Sequence, residues 1–140
     1  TVFSSMGEDI PIDIHDEAAQ ALGDTVRCCE YQLPGTQALA DEAMKTIGDK
    51  ANACMLRSHG LVCIGADMDA AFKVSTVVEM VAEIYWRIRA TGGTYAGVRE
   101  DQVRPVLRLA RGSVGTLSRD VKVIIEGEHH GSIAYLYLHV

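Results

Sequence analysis

The sequence predicts a single α/β domain, because short apolar runs typical of strands alternate with longer segments of helical periodicity. The runs Ala53 to Leu56 and Leu61 to Ile64 flank Ser58-His59-Gly60, which favours two strands joined through this tripeptide. Apolar residues that recur at helical spacing from Ala71 to Ile88 indicate the longest helix. A chain of 140 residues with 48% hydrophobic content can bury one core, and no internal repeat divides it.

The first part of the chain alternates extended and helical patterns. Ile10 to Ile14 is expected to be extended, and the Ala-rich stretch Asp16 to Leu22 to form a helix that ends at Gly23. Thr25 to Glu30 favours a strand. Leu33-Pro34-Gly35 predicts a turn, because proline restricts φ and glycine tolerates conformations that other residues avoid.

The next helix has a clear beginning and end in the sequence. Thr36 is suited to cap its amino end, and Gly48 to stop it. Its apolar face is formed by Leu39, Ala43, Met44 and Ile47. This spacing predicts a helix packed on a core along one side.

The longest helix is predicted to begin after Asp67, a suitable N-cap, and to end at Gly92 and Gly93. Its apolar stripe is typical of a core-facing helix rather than of a cofactor site. The stripe is widened by Phe72, Met80 and Trp86. This extra hydrophobic surface indicates burial by a second layer or by another subunit.

The last third of the chain carries weaker patterns. Glu100 to Arg111 favours an amphipathic helix, and Val121 to Ile125 and Ile133 to Val140 favour paired strands. The pair His129-His130 lies between these strands in a polar, glycine-flanked stretch. Because adjacent residues of an extended chain diverge, the pattern favours solvated loop histidines over a metal-binding pair.

Composition and charge exclude several classes of partner. The net charge is -6, and the Lys and Arg residues form no basic stripe, so neither nucleic acid nor an anionic membrane surface is expected as a partner. Charged residues interrupt every apolar stretch before the roughly 20 residues that a membrane span requires, and no signal-peptide pattern begins the chain. We therefore expect a cytoplasmic protein.

The four cysteines are Cys28, Cys29, Cys54 and Cys63. They lie in apolar runs without a Cys-x-x-Cys pair, which favours buried thiols over a disulfide framework. Zinc ligation or nucleophilic catalysis is the alternative, but adjacent Cys28 and Cys29 should point to opposite faces of a strand.

His59 has two interpretations from the pattern alone. A strand end would hold its imidazole rigidly at a surface, which suits a metal ligand, and a catalytic zinc site needs three protein ligands with an open fourth position. An ordinary turn histidine is the alternative, because one histidine does not make such a site.

Four motifs, taken in their order and spacing, resemble the class II aldolase/adducin family. The resemblance extends from Ile10 to about Gly93. The motifs are His15-Asp16-Glu17-Ala18-Ala19-Gln20, Tyr31-Gln32-Leu33-Pro34-Gly35-Thr36, Leu56-Arg57-Ser58-His59-Gly60-Leu61-Val62, and Asp67 to Phe72. The resemblance implies a three-layer α/β/α sandwich around a mixed, mainly antiparallel sheet. It also implies assembly as a homotetramer, with active sites near subunit interfaces.

The resemblance further implies a zinc ion bound by a His-x-His pair and by a later histidine before glycine, which His59 matches. This chain contains no His-x-His. The resemblance would place that pair upstream of Thr1, together with a glutamate that acts in proton transfer. Residues 1–140 are accordingly interpreted as one domain of this family, its C-terminal portion, in which both the sheet and the zinc site are incomplete.

Asp16 and Glu17 are the candidate groups for proton transfer, with His15 beside them. The aldolase branch of the family has a tyrosine at the position of Asp16, which puts the usual proton donor in doubt. The alternative makes both carboxylates first-turn helix acids that favour the positive end of the helix dipole.

Three functions follow from the resemblance. The first is a zinc-dependent lyase that cleaves or forms a carbon-carbon bond in a small sugar phosphate or hydroxy-carbonyl substrate, with the metal stabilising an enediolate. The second is an epimerase or decarboxylase with the same enediolate chemistry. The third is a non-catalytic adducin-like module that keeps the fold for assembly.

Overall fold

A mixed sheet lies at the centre of the described residues, and helices cover both of its faces. The computed structural model describes residues 2–99 and 101–102, together with the backbone of residues 133–135. In chain order the described elements are α1 (Val2–Met6), α2 (Asp16–Leu22), β1 (Cys28–Cys29), α3 (Gln37–Ile47), β2 (Ala53–Leu56), β3 (Gly60–Cys63), α4 (Met68–Ala90) and β4 (Ile133–Tyr135).

The strands lie in the order β1-β2-β3-β4. β2 and β3 form an antiparallel hairpin in which Leu56 lies opposite Gly60, whereas β1 is parallel to β2 and β4 is parallel to β3. The predicted mixed sheet is confirmed. Antiparallel pairing does not predominate among these four strands, because long connections that contain α3 and α4 return the chain in the same direction.

The side chains of β2 alternate between two cores. Ala53 and Met55 pack on the side of α2 and α4, whereas Cys54 and Leu56 pack on the side of α3. All four are buried, as expected for a strand covered on both faces. Helices α2 and α4 therefore form one outer layer and α3 the other, which confirms the three-layer α/β/α arrangement.

The ends of α2 and α3 follow the signals in the sequence. Gly23 ends α2 with a φ of 73°, a conformation that glycine adopts without steric cost. The Thr36 hydroxyl caps α3 by accepting a hydrogen bond from the Leu39 N–H at 3.4 Å, and Gly48 ends this helix. These local predictions are confirmed.

The long helix α4 begins at the predicted cap, where the Asp67 carboxylate accepts a hydrogen bond from the Ala70 N–H at 2.8 Å. Phe72 and Trp86 keep 56% and 50% of their surface exposed, while Met80 packs partly against the core. The buried side of the helix is formed by Ala71, Val74, Ser75, Val77, Val78, Val81 and Ala82.

Several predictions lie outside the described residues. They are the strand from Val121 to Ile125, the loop with His129-His130, and the helix from Glu100 to Arg111 apart from residues 101–102. The predicted strand from Ile133 to Val140 is confirmed over Ile133–Tyr135. Of the helices that the structure describes, none has the length and apolar character needed to cross a membrane.

Replacing Asp67 by Ala should lower the free energy of unfolding by about 1 kcal/mol, because the first turn of α4 loses its side-chain acceptor. The measurement is urea unfolding followed by circular dichroism. Asp67→Asn is the matched control, because the amide oxygen can accept the same hydrogen bond. Equal stability of Asp67→Ala and the unchanged protein would show that this cap contributes nothing.

Candidate functional site

His59 is the last residue of the tight turn between β2 and β3. Its N–H donates a hydrogen bond to the Leu56 carbonyl at 3.0 Å, and the residue itself is exposed. The strands on either side are almost entirely buried. The imidazole is therefore presented to solvent from the end of a stiff hairpin rather than packed into the core.

Ser58 gives this turn its shape. Among the described residues it alone has a positive φ without being glycine, with a value of 56°. Such a conformation costs a residue with a Cβ roughly 1–2 kcal/mol, so the surroundings must hold it in place. One restraint is a hydrogen bond of 2.9 Å from the Ser58 N–H to the Ser4 carbonyl in α1.

Asp16 and Glu17 occupy the first turn of α2, where both are exposed. His15 is the N-cap of this helix, and its Nδ1 accepts a hydrogen bond from the Glu17 N–H at 3.2 Å. This ring nitrogen therefore caps the amino end of α2. The two carboxylates remain at the surface, at the positive end of the helix dipole.

The segment before α2 is tied to the chain that follows α4. The Tyr95 hydroxyl donates a hydrogen bond to the Asp13 carboxylate at 3.2 Å, and the Val98 N–H donates to the Asp13 carbonyl at 2.6 Å. The sequence pattern did not reveal this contact. The signal that could have indicated it is Tyr95 itself, because an aromatic residue soon after a helix end can pack back against the domain.

An aromatic chain of contacts links the two candidate regions. Tyr95 meets Tyr85 edge to face at 5.9 Å between ring centroids, and Tyr85 stacks on Phe3 at 5.2 Å. Phe3 precedes Ser4, which holds the turn of His59. The link between His59 and the start of α2 is thus indirect and passes through Phe3 of α1, Tyr85 of α4 and Tyr95, which follows α4.

Comparison with known proteins identifies the family. Residues 1–86 match the family model described as the Class II Aldolase and Adducin N-terminal domain. The chain belongs to this family. The name of the family model gives the place of the whole domain in longer proteins, so the expectation that this chain is the C-terminal portion of that domain stays a prediction.

Similar proteins include a 5-methylthioribulose-1-phosphate/5-deoxyribulose-1-phosphate aldolase of Rhodospirillum rubrum, 36% identical over 62% of this chain and 38% of its own. An L-fuculose phosphate aldolase of Escherichia coli is 26% identical over 76% of this chain and 49% of its own. A solved structure of an L-fuculose 1-phosphate aldolase matches with a TM-score of 0.68 and 25% sequence identity. The match covers 76% of this chain and 49% of the aldolase chain. The chain spans half or less of the length of these relatives.

The donor set around His59 fits a metal ion in part. The exposed imidazole can serve as one ligand of the three that a catalytic zinc ion requires. Within the part of the chain that the structure describes, no three His, Cys, Asp or Glu side chains are grouped so that they could hold a metal. A catalytic zinc site of that kind would need two protein ligands besides His59.

The cysteines are free thiols that belong to the cores. Cys28 packs against the core on the side of α2 and α4, and Cys29 lies in the core on the side of α3, as predicted for adjacent strand residues. Burial raises the pKa of Cys63 to about 12 and also raises the pKa of Cys54. Because the thiolate is the reactive form, neither buried thiol is suited to nucleophilic chemistry.

A shallow groove of about 550 Å³ lies between α1 and α4 and contains neither His59 nor the first turn of α2. Its walls are mostly apolar, with two glutamates. The lining residues are Val2, Glu79, Met80, Ala82, Glu83 and Trp86. The groove is thus separate from the residues that the family motifs single out.

The contact between Tyr95 and Asp13 should make stability fall at alkaline pH. Burial, and then the charge of Asp13, raise the pKa of Tyr95 to about 12. Because the folded pKa lies above the ordinary value of about 10, the contribution is complete below pH 10 and is lost as the pH rises toward 12. Tyr95→Phe should be less stable than the unchanged protein at pH 8, and this difference should shrink by pH 12.

Thermal unfolding of both proteins across this pH range measures the effect. Tyr31→Phe is the matched control, because Tyr31 is 56% exposed and its removal should leave the pH profile unchanged. A constant difference between Tyr95→Phe and the unchanged protein from pH 8 to 12 would contradict the assignment.

Proposed function

We propose that this chain forms part of a metal-dependent aldolase-type lyase in which His59 is one of the metal ligands. The observation that carries the proposal is the exposed imidazole at the end of a rigid hairpin, in a chain that belongs to the class II aldolase and adducin family. The family is typically metal dependent. Zinc is the ion we propose, because it accepts imidazole nitrogen in catalytic sites with an open position.

The proposed substrate is a small sugar phosphate or a related hydroxy-carbonyl compound. Support comes from the similar proteins, whose names specify aldolases of 5-deoxyribulose 1-phosphate and of fuculose phosphate. Cleavage removes the proton of a hydroxyl group, breaks the adjacent carbon-carbon bond and leaves an aldehyde together with an enediolate. The metal ion that His59 would help to hold would supply positive charge close to the negative charge that develops during cleavage.

Asp16 and Glu17 are the proposed proton-transfer groups of this chain. A carboxylate at this place would accept the hydroxyl proton during cleavage and return it during condensation. Support comes from their exposure in the first turn of α2 and from the family motif that begins at His15. The contact between Tyr95 and Asp13 would hold this turn in position.

We also propose that the protein assembles into a homo-oligomer, a tetramer by resemblance to the family. The exposed faces of Phe72 and Trp86 on α4 support this proposal, because large aromatic side chains at the surface are typical of subunit interfaces.

Replacing His59 by Ala should abolish stoichiometric zinc without unfolding the protein, because an exposed turn residue contributes a ligand but little packing. The native gene product should contain about one zinc per subunit by elemental analysis, and His59→Ala almost none. His15→Asn is the matched control: it also removes an exposed imidazole, yet it leaves an oxygen that can cap α2. If His59→Ala kept its full zinc content, the proposal that His59 is a metal ligand would be wrong.

Replacing Asp16 by Asn and Glu17 by Gln tests proton transfer. Loss of the acting carboxylate should lower kcat for cleavage of 5-deoxyribulose 1-phosphate or fuculose 1-phosphate by about 100- to 10,000-fold. Asp69→Asn is the matched control, because Asp69 is an acid in the first turn of α4. If both variants keep their zinc content and their kcat, neither Asp16 nor Glu17 transfers the proton. Their role would then be only to stabilise the positive end of the helix dipole of α2.

Product analysis on the same substrates separates the reactions. Aldehyde release identifies the lyase, whereas a stereoisomer or carbon dioxide would identify an epimerase or a decarboxylase. Absence of zinc and of turnover in the native product would instead favour the non-catalytic assembly module.

A further inference from the structure

Residues 94–98, which follow α4, lie against the segment that leads into α2, and we call them the strap. The Tyr95 hydroxyl donates a hydrogen bond of 3.2 Å to Oδ1 of Asp13, and the Val98 N–H donates one of 2.6 Å to the Asp13 carbonyl. Asp13 and Tyr95 are 82 positions apart in the chain. The strap is therefore bonded twice to one distant residue, once through its side chain and once through its main chain.

Between these two contacts the strap passes close to the other carboxylate oxygen of Asp13. Gly97 has a φ of 69°, and a Cβ placed on it would lie 3.0 Å from Oδ2 of Asp13 and 3.6 Å from Cε2 of Tyr95. Glycine is suited to this position because it adopts a positive φ and allows the close approach. The strap thus lies near both oxygens of the carboxylate.

The strap itself has little buried surface. Thr94 and Ala96 are exposed, and the other three residues are only half-buried. Its aromatic contact is the edge-to-face packing of Tyr95 on Tyr85, with 5.9 Å between ring centroids. Segments with few buried groups open at a lower free energy than the core. The strap is therefore suited to open and close while both cores stay intact.

The helix beside the strap depends on contacts with the rest of the domain. α2 has seven residues, too few for a helix that is stable on its own. Its carboxyl end is held by Asn52, whose N–H donates a hydrogen bond to the Leu22 carbonyl at 2.8 Å. The side-chain Nδ2 of Asn52 donates another to the Ala21 carbonyl at 2.9 Å. This end of α2 is thus fixed independently of the strap.

The amino end of α2 is bonded to His15, two residues after Asp13. The His15 carbonyl accepts hydrogen bonds from the N–H groups of Ala18 and Ala19 at 3.0 and 3.3 Å, and its Nδ1 accepts the one from Glu17. All three bonds are local to this turn. The strap ties the same turn, through Asp13, to a distant part of the chain.

We infer that the strap is a conformational device for α2: closed on Asp13 it holds the amino end of the helix, and when it opens the first turn frays with it. The carboxyl end, held by Asn52, stays in place in both states. Opening the strap therefore replaces a fixed presentation of Asp16 and Glu17 by a mobile one. Neither a metal ion nor a substrate takes part, so the strap can be tested separately from the proposed function.

Tyr95→Phe in the full-length native protein tests the strap, because it removes the hydrogen bond to Asp13 and keeps the ring that packs on Tyr85. Hydrogen-deuterium exchange is measured at single amides by mass spectrometry. Exchange of the amides of residues 17–19 should become about 10-fold faster, the change expected for loss of one hydrogen bond to a charged group. The Val98 amide should become faster by a similar factor, because one opening frees both places.

Two references show whether the effect is confined to the strap and α2. The Leu39 N–H, which bonds to the Thr36 hydroxyl at the start of α3, lies on the other side of the sheet and should keep its exchange rate. Tyr31→Phe is the matched variant, because it also removes a tyrosine hydroxyl, from a residue that is 56% exposed. Its exchange at residues 17–19 should equal that of the unchanged protein.

Gly97→Ala provides a second, independent perturbation. Gly97 and Gly92 have the same φ of 69°, but a Cβ at Gly92 meets nothing within 4 Å. The two alanine variants therefore bear similar backbone strain, and only Gly97→Ala should press on the Asp13 carboxylate. Exchange of residues 17–19 should become faster in Gly97→Ala and stay unchanged in Gly92→Ala.

The outcomes separate a coupled strap from two simpler cases. If Val98 exchanges faster in Tyr95→Phe and Gly97→Ala while residues 17–19 keep their rates, the strap opens alone and the inference is wrong. It is also wrong if Leu39 becomes faster by the same factor, since the variants would then loosen the whole domain, or if no amide changes. A native protein without zinc would contradict the proposed function and leave the strap unaffected.

Discussion

Burial of both faces of the β2–β3 hairpin is the constraint on which the rest of the structure depends. A slip of one residue would exchange the two faces of β2 and move Ala53 and Met55 into the core of α3. The register that places Leu56 opposite Gly60 is therefore fixed by packing on two sides. Because the turn follows directly from this register, the position of His59 is set by the cores rather than by the loop itself.

Local structure could be predicted from the sequence because its causes are local. The caps at Thr36 and Asp67 and the stop at Gly23 each depend on residues within one helical turn, and the structure agrees with all three. Strand order could not be predicted in this way. The parallel pairing of β1 with β2 depends on how α3 crosses the sheet, and no residue pattern within either strand specifies that path.

The candidate site shows the same division. The Ser-His-Gly tripeptide between two apolar runs was enough to single out His59, and an adjacent pair such as Asp16 and Glu17 could be assigned to a helix start. In contrast, the residues that hold these side chains in place are distant from them in the sequence. Ser58 is bonded to Ser4 across 54 positions, and this kind of contact becomes visible only when the fold brings α1 beside the hairpin.

α1 and α4 act together as a common support for both candidate regions. Phe3 stacks on Tyr85, Tyr85 contacts Tyr95, and Tyr95 holds Asp13 before α2. Arg89 adds an ion pair to Glu8 and lies over the ring of Tyr85, which ties the same two helices a second time. A shift of α1 would therefore disturb the turn of His59 and the start of α2 together. If His59 and the carboxylates of α2 act in one reaction as proposed, such a shared support would keep their positions fixed relative to each other.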